Sequence, residues 1–182
     1  DGVLLAWEDA FHQWMKSKGF TIKEKAIYDI SKSFGIPKTL GKKLVKEFNE
    51  SAWMGFLPAF KDARSGVAKL VEHDWQFIVI TSLSLDPKAQ MLRVSNLKNI
   101  FGKNVFIDVI CLDTGADKDE ALEKFKDTGM WYIEDKPINA EVGLKYGLKP
   151  ILIEHEHNKE HEEDGIEYAF DWEEILNIIE RR

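Results

Sequence analysis

Apolar residues recur at helical spacing from the start of the chain. Leu4, Trp7, Phe11, Trp14 and Met15 share one face of a helix that Gly19 should end. Thr21-Ile22-Lys23-Glu24 has the form of a capping box, opening a second helix with Ala26, Ile27, Ile30 and Phe34 inward and Gly35 and Pro37 at its close. A third helical stretch carries Leu40, Leu44, Val45 and Phe48, so the segment up to Leu57-Pro58 reads as a helical lobe. Beyond Leu57-Pro58 the pattern changes: a helix with Val67, Leu70 and Val71 precedes the short apolar run Phe77 to Thr81, and this alternation repeats. Asp86-Pro87 starts a helix that runs to Gly102, Val105 to Cys111 reads as a strand, and Asp117 with Glu120 caps another helix. Strands follow near 130–134 and 150–153. The acidic stretch Glu154 to Asp164 reads as a solvated loop before a last strand near Ile166 to Phe170 and a final helix from Trp172 to Ile179. Helices alternating with short, almost wholly apolar strands imply an α/β fold whose parallel sheet is covered on both faces.

Composition narrows the function classes. With 182 residues, 44% of them hydrophobic, the chain can bury one good core with a small appended lobe, but not two full domains. The single cysteine, Cys111, excludes an intrachain disulfide and fits a reducing, cytoplasmic compartment. No apolar run approaches the roughly 20 residues of a membrane helix. A net charge of -7 disfavours a nucleic-acid polymer as partner, because polymer binding needs many phosphate neutralisations. A small phosphorylated molecule needs only a few local cations and stays compatible with that charge. Self-association into a homodimer is left open.

Candidate chemistry gathers where this layout puts the carboxyl ends of strands, the edge at which open parallel sheets bind ligands. Thr81-Ser82 ends one strand and Ile133-Glu134-Asp135 another, with Asn139 a helical turn beyond. Lys118 falls in the first turn of its predicted helix, where free backbone N–H groups and the helix dipole favour an anion. The chain opens on Asp1-Gly2-Val3-Leu4-Leu5.

In this order, Asp1 to Trp7, Ile80-Thr81-Ser82, Asp117-Lys118 and Ile133-Glu134-Asp135-Lys136-Pro137 resemble the four motifs of haloacid dehalogenase (HAD) superfamily phosphatases. The first matches the second half of a hydrophobic strand followed by Asp-x-Asp-Gly-Val. The resemblance implies a Rossmann-like HAD core formed by residues 1–4 and 57–182, with a small helical cap of residues 5–56 inserted after the first motif. Among such proteins the chain is most similar to the 5'(3')-deoxyribonucleotidase and to nucleotidase-like proteins of phages and bacteria. By the motif's spacing, the nucleophilic aspartate is expected two residues before Asp1, on what should be the central strand. The resemblance makes Asp1 the general acid that protonates the leaving alcohol and then the base that activates water. Its backbone carbonyl and Asp135 would hold Mg²⁺ together with that nucleophile, with Glu134 supporting the metal through water and Asn139 orienting the acidic pair. Thr81 would donate to a phosphoryl oxygen, Ser82 would contact substrate, and Lys118 would offset charge on the phosphoryl group and the nucleophile.

Each residue also has a structural reading. Asp1 could simply turn the chain before Gly2, Thr81 and Ser82 could satisfy loop backbone, Lys118 could be a solvated helix lysine, and Asp135 could be only an N-cap. His155, His157 and His161 could ligate zinc, but their spacing in an acidic loop without cysteines matches no closed zinc pattern. Tryptophans at helical spacing are usually core, so of the lobe's aromatics only Trp53 and Phe56, near the hinge, are candidates to stack on a flat leaving group. The expected function is Mg²⁺-dependent hydrolysis of phosphomonoesters through an aspartyl-phosphate, with nucleoside monophosphates the first choice of substrate. The alternatives are a HAD hydrolase acting on another small phosphorylated compound, a dehalogenase, against which Asp1 argues, and a non-catalytic protein that kept the fold.

Overall fold

The computed structural model describes residues 1–24 and 29–181. Leu4 does not start the first helix as its spacing suggests. Leu5 pairs antiparallel with Ala59, and the Phe60 amide donates to the Leu4 carbonyl, so the backbone leaving the first motif is stitched to the backbone returning from the lobe. Helix α1 therefore begins only at Trp7 and runs to Ser17, burying Ala10, Phe11, Trp14 and Met15. Thr21 to Glu24 form no capping box: the amides of Lys23 and Glu24 both donate to the Ser33 carbonyl. Asp29 instead caps α2 (Ile30–Phe34) through the Ser31 amide. Ala26 and Ile27, assigned to that helix from the sequence, lie outside the described residues. Helix α3 (Lys38–Asn49) buries Gly41, Leu44 and Phe48, and a 3-10 turn at Ala52–Gly55 leads back to the core.

The lobe packs through aromatic rings. Trp7 stacks on Phe11 with centroids 4.8 Å apart, and Phe48 meets Phe11 edge-on at 5.3 Å. Polar bonds register the lobe on the core. Trp7 Nε1 donates to Asn49 Oδ1 at 2.9 Å, and Asn49 Nδ2 donates in turn to the Leu83 carbonyl, just past the first strand.

The core alternates as its sequence pattern predicts: α4 (Ala63–Glu72), β1 (Phe77–Ser82), α5 (Pro87–Phe101), β2 (Phe106–Leu112), α6 (Asp119–Glu123), β3 (Trp131–Glu134), α7 (Pro137–Lys145), β4 (Lys149–Ile153), β5 (Glu167–Ala169) and α8 (Trp172–Glu180). Asp86 caps α5 by accepting from the Ala89 amide, with Pro87 at the first helical position. All pairings between these strands are parallel, but the described strands form two ladders, β1-β2 and β3-β4-β5, where one sheet was expected. Leu4 and Phe77 pack into both apolar clusters and so join the two ladders into one body. Asp117 does not cap α6; Lys118 occupies that position, without a capping bond from its side chain. Among the described residues no helix is long and apolar enough to cross a membrane.

Helix α8 lies across α4 by setting the Trp172 ring directly on Gly66, where an added Cβ would stand 2.5 Å from ring carbon Cε3. Gly66→Ala should gain about 1 kcal/mol of helix propensity. Overpacking against a ring that is 2% exposed costs about 1–3 kcal/mol. We expect a net loss, read as a lower urea midpoint; an unchanged or raised midpoint would show that Trp172 can move aside.

Candidate active site

The carboxyl ends of β1 and β3 converge with the loops after them. Tyr132 and Glu134 sit two apart on β3 and so face the same side of the strand. There Glu134 is buried and receives four donors. Lys118 Nζ lies 2.6 Å from Oε2 and Tyr132 Oη donates to the same oxygen at 2.7 Å, while the Lys136 amide and Asn139 Nδ2 each donate to Oε1 at 3.2 Å. Burial alone would raise the Glu134 pKa. The charge and hydrogen bond of Lys118 overcome it and hold the carboxyl down at about 2. Tyr132 pays part of that arrangement: burial first, and then the charge of Glu134, push its phenol well above the ordinary value.

Asp135 behaves oppositely. Burial, and next the adjacent negative charge of Glu134, raise its carboxyl to about 7. The group lies against the Cα of Gly2, where any Cβ would collide with its carboxylate, and Gly2 has φ +73°, a conformation that side chains disfavour. Glycine is thus required at the second position on two counts. The turn is clasped from behind by the loop after β4. Asn158 Nδ2 donates to the carbonyls of Asp135 at 2.7 Å and Ile153 at 2.9 Å, while its Oδ1 accepts from the His155 amide at 2.7 Å. His155 Nε2 meets the Gly2 carbonyl at 2.7 Å.

The Asp1 carboxylate is held from a third direction. Arg93, on α5 and 1% exposed, places Nη1 2.6 Å from Oδ1 and Nη2 3.2 Å from Oδ2, a two-pronged ion pair, and Nη2 also touches Met54 Sδ at 3.4 Å. Burial lowers the Arg93 pKa to about 10, which leaves the guanidinium charged at neutral pH. Asp1, expected from the sequence as the general acid, is a salt-bridged carboxylate in this structure.

Thr81 and Ser82 stand at the end of β1, and Thr81 is buried beside Cys111 of β2. Ser82 Oγ donates to the Ala116 carbonyl at 2.7 Å, tying down the loop that carries Lys118, so its hydroxyl is engaged by the protein. Lys118 is not in the first turn of a helix that could add a dipole; it precedes the five-residue α6, and its charge is committed to Glu134. Trp53 packs near Phe48 at 6.1 Å, and Phe56, 80% exposed, lines a separate groove whose walls include none of Asp1, Thr81, Lys118, Glu134 or Asp135.

The three histidines diverge. His161 meets Tyr168 Oη at 3.1 Å and Glu141 at 2.9 Å, whereas His155 and His157 stack on each other near Gly2 and Asp135. Among the described residues no three His, Cys, Asp or Glu side chains cluster to hold a metal ion.

Arg93, Tyr132 and Asn158 escaped the sequence reading. Arg93 left a trace: it shares the inward face of α5 with Ala89, Asn96 and Leu97, an odd place for a guanidinium unless it has a buried partner. Asn158 left none, because its partners are set by a loop.

No family model matches the chain. It is 27% identical over 144 residues to an uncharacterised 32.4 kDa protein from the Gp30-rIII intergenic region of Enterobacteria phage T4, covering 74% of this chain and 51% of that protein. The chain thus spans about half the length of the curated relative it matches. Among solved structures it resembles a haloacid dehalogenase-like family hydrolase from Streptococcus pneumoniae, with a TM-score of 0.67, 14% identity, and 98% and 94% of the two chains covered. A protein assigned as a beta-phosphoglucomutase from Thermotoga maritima aligns at 0.60 with 16% identity over 100% and 95%. An L-2-haloacid dehalogenase aligns at 0.60 with 10% identity over 98% and 95%. The chain therefore has the fold of HAD-superfamily hydrolases.

The raised Asp135 carboxyl makes a signed prediction. A carboxyl whose folded pKa stands above its unfolded value of 3.8 adds stability at low pH that is lost as pH rises through about 7. Between pH 5 and 8 the native protein should lose at most about 3 kcal/mol from this group. Asp135→Asn, uncharged throughout, should be spared that loss. Urea unfolding of both proteins at pH 5 and 8 should show the variant gaining on wild type as pH rises, and a constant difference would place the Asp135 pKa in its ordinary range.

Proposed function

We propose that this chain is a HAD-type hydrolase that cleaves phosphomonoesters of small molecules, with Mg²⁺ as cofactor and nucleoside monophosphates as the preferred substrates. The observation carrying this reading is the arrangement at the end of β3. Two consecutive carboxyls stand beside one lysine, which ion-pairs with Glu134, while burial and the charge of Glu134 raise the Asp135 carboxyl despite the positive charges near it. A divalent cation with oxygen ligands suits such a place. Asp135 and the backbone carbonyl of Asp1 would hold it, with Glu134 acting through water, and water and the nucleophile completing the shell. Bound there, the ion would supply the positive charge that lets a carboxylate approach a phosphate dianion.

The chain's own residues have distinct parts in this reading. Lys118 and Tyr132 keep Glu134 ionised and fixed, so that the negative charge beside Asp135 is constant. Thr81 donates its hydroxyl to a phosphoryl oxygen. Asp1 carries the proton to the leaving alcohol and takes one from water, and Arg93 orients its carboxylate for that exchange. The nucleophile falls, by the motif's spacing, two positions ahead of Asp1.

With the intact protein, release of phosphate from nucleoside monophosphates should require added Mg²⁺ and stop on chelation; undiminished turnover after exhaustive chelation would sink the metal-dependent reading. Asp135→Asn should reduce metal affinity and rate together. Asp1→Asn should leave Mg²⁺ binding nearly intact and slow turnover by about 100- to 10,000-fold. The loss should be largest for nucleoside phosphates and smaller in the first step for an activated aryl phosphate. Equal, small losses on both substrates would remove Asp1 from proton transfer.

A further inference from the structure

A groove of about 540 Å³ opens between the backbone returning from the lobe and the carboxyl-terminal half of α5. That is the size of an ordinary small-molecule site, roughly 300–1,000 Å³. In a protein of net charge -7, its lining contains no carboxylate but two cations, Lys61 and Arg64. Among the described residues neither cation has an acidic partner in an ion pair. The acid between them, Asp62, is turned away, its Oδ2 accepting from the Trp172 amide at 2.9 Å. One wall presents Phe56, with its ring 80% exposed. The opposite wall is set by Asn96, itself buried, whose Nδ2 donates to the Leu57 carbonyl at 3.0 Å and fixes the returning backbone against α5, and Asn99 offers an exposed amide at the rim.

We propose that this groove is a binding site for a small anion bearing a flat ring, an aryl or heteroaryl phosphate or phosphonate, separate from the cluster around Asp135. The ring would lie on Phe56, in the offset or edge-on arrangement that aromatic pairs favour. The anionic group would lie between Lys61 and Arg64, the guanidinium offering paired donors that match its oxygens. The exposed Asn99 amide would donate to one further oxygen. Two cations left unpaired at the mouth of a concave, ring-lined surface have the complementarity that an anionic ligand requires.

Phenylphosphonate tests this, because it has the ring and the charge but no ester bond to cleave, and a chelator keeps divalent ions out of the experiment. In ¹H–¹⁵N spectra of ¹⁵N-labelled protein, it should give saturable shifts at the Phe56 and Arg64 amides and the Asn99 side-chain amide. The double variant Lys61→Ala with Arg64→Ala, both at exposed positions, should weaken binding by at least about tenfold. Phe56→Ala should weaken it less, benzyl alcohol should bind far more weakly than phenylphosphonate, and Asp135→Asn should bind as wild type does. Saturable shifts confined to Thr81, Lys118 and Asp135, affinity indifferent to the double variant, or no saturable shift at the groove would each overturn the proposal. Because the Asp135 variant and chelation leave the groove untouched, failure here is distinguishable from failure of the hydrolase reading.

Discussion

Two consecutive carboxyls buried at the end of one strand cannot both be ionised without compensation, and the way the fold resolves that conflict organises everything near it. Glu134 takes the charge. Lys118, Tyr132, Asn139 and the Lys136 amide converge on it, and they arrive from the loop after β2, from β3 itself, and from the start of α7. Removing the lysine would strand a buried carboxylate, a loss of about 3–5 kcal/mol by the cost of breaking such pairs. Asp135 is left as the carboxyl whose ionisation is unfavourable, and an added positive charge beside it would favour the ionised form. Gly2 and Asn158 then fix where that group stands: the one because no side chain fits beneath Asp135, the other because its amide grips the Asp135 carbonyl.

The helical lobe shares an apolar cluster with the core, and polar bonds tie it to the loop after β1. Asn49 reaches the Leu83 carbonyl beyond β1, and Ser84 Oγ donates to Glu50 at 2.8 Å. Met54 touches the same Arg93 that holds Asp1. Arg93 thus stands at the junction of lobe, core helix and first motif, and a displacement of the 3-10 turn would be felt at the Asp1 carboxylate. This makes Arg93 a positioning residue for Asp1. It also accounts for a guanidinium kept inside an apolar helix face, where an unpaired charge would be too costly.

The elements with strong local signals were legible in the sequence. Helix α5 shows its start in Asp86-Pro87 and its end in Gly102, and β1 through β5 appear as short apolar runs in the right order, so the α/β class followed directly. Misreadings occurred where a distant partner decides. Leu4 has helical spacing but its carbonyl is taken by the Phe60 amide, and the Thr21 to Glu24 pattern yields to Ser33. Lys118 reads as a helix-terminal cation from its neighbours, yet its place is set by Glu134 on another element. The acidic pair itself was visible as Glu134-Asp135, but not the opposite electrostatics of its two members, because Lys118, Tyr132 and Asn139 reach one carboxyl and not the other. Arg93 lies 92 residues from Asp1, and no local pattern predicts such a pair.

The central claim is that the fold divides the acidic pair into one fixed charge and one carboxyl near neutrality. Carboxyl ¹³C NMR titration of the intact, metal-free protein reads both groups at once. The account predicts that Glu134 stays ionised down to about pH 2 while Asp135 titrates near 7. Two carboxyls titrating together close to 4, the value of free side chains, would contradict it.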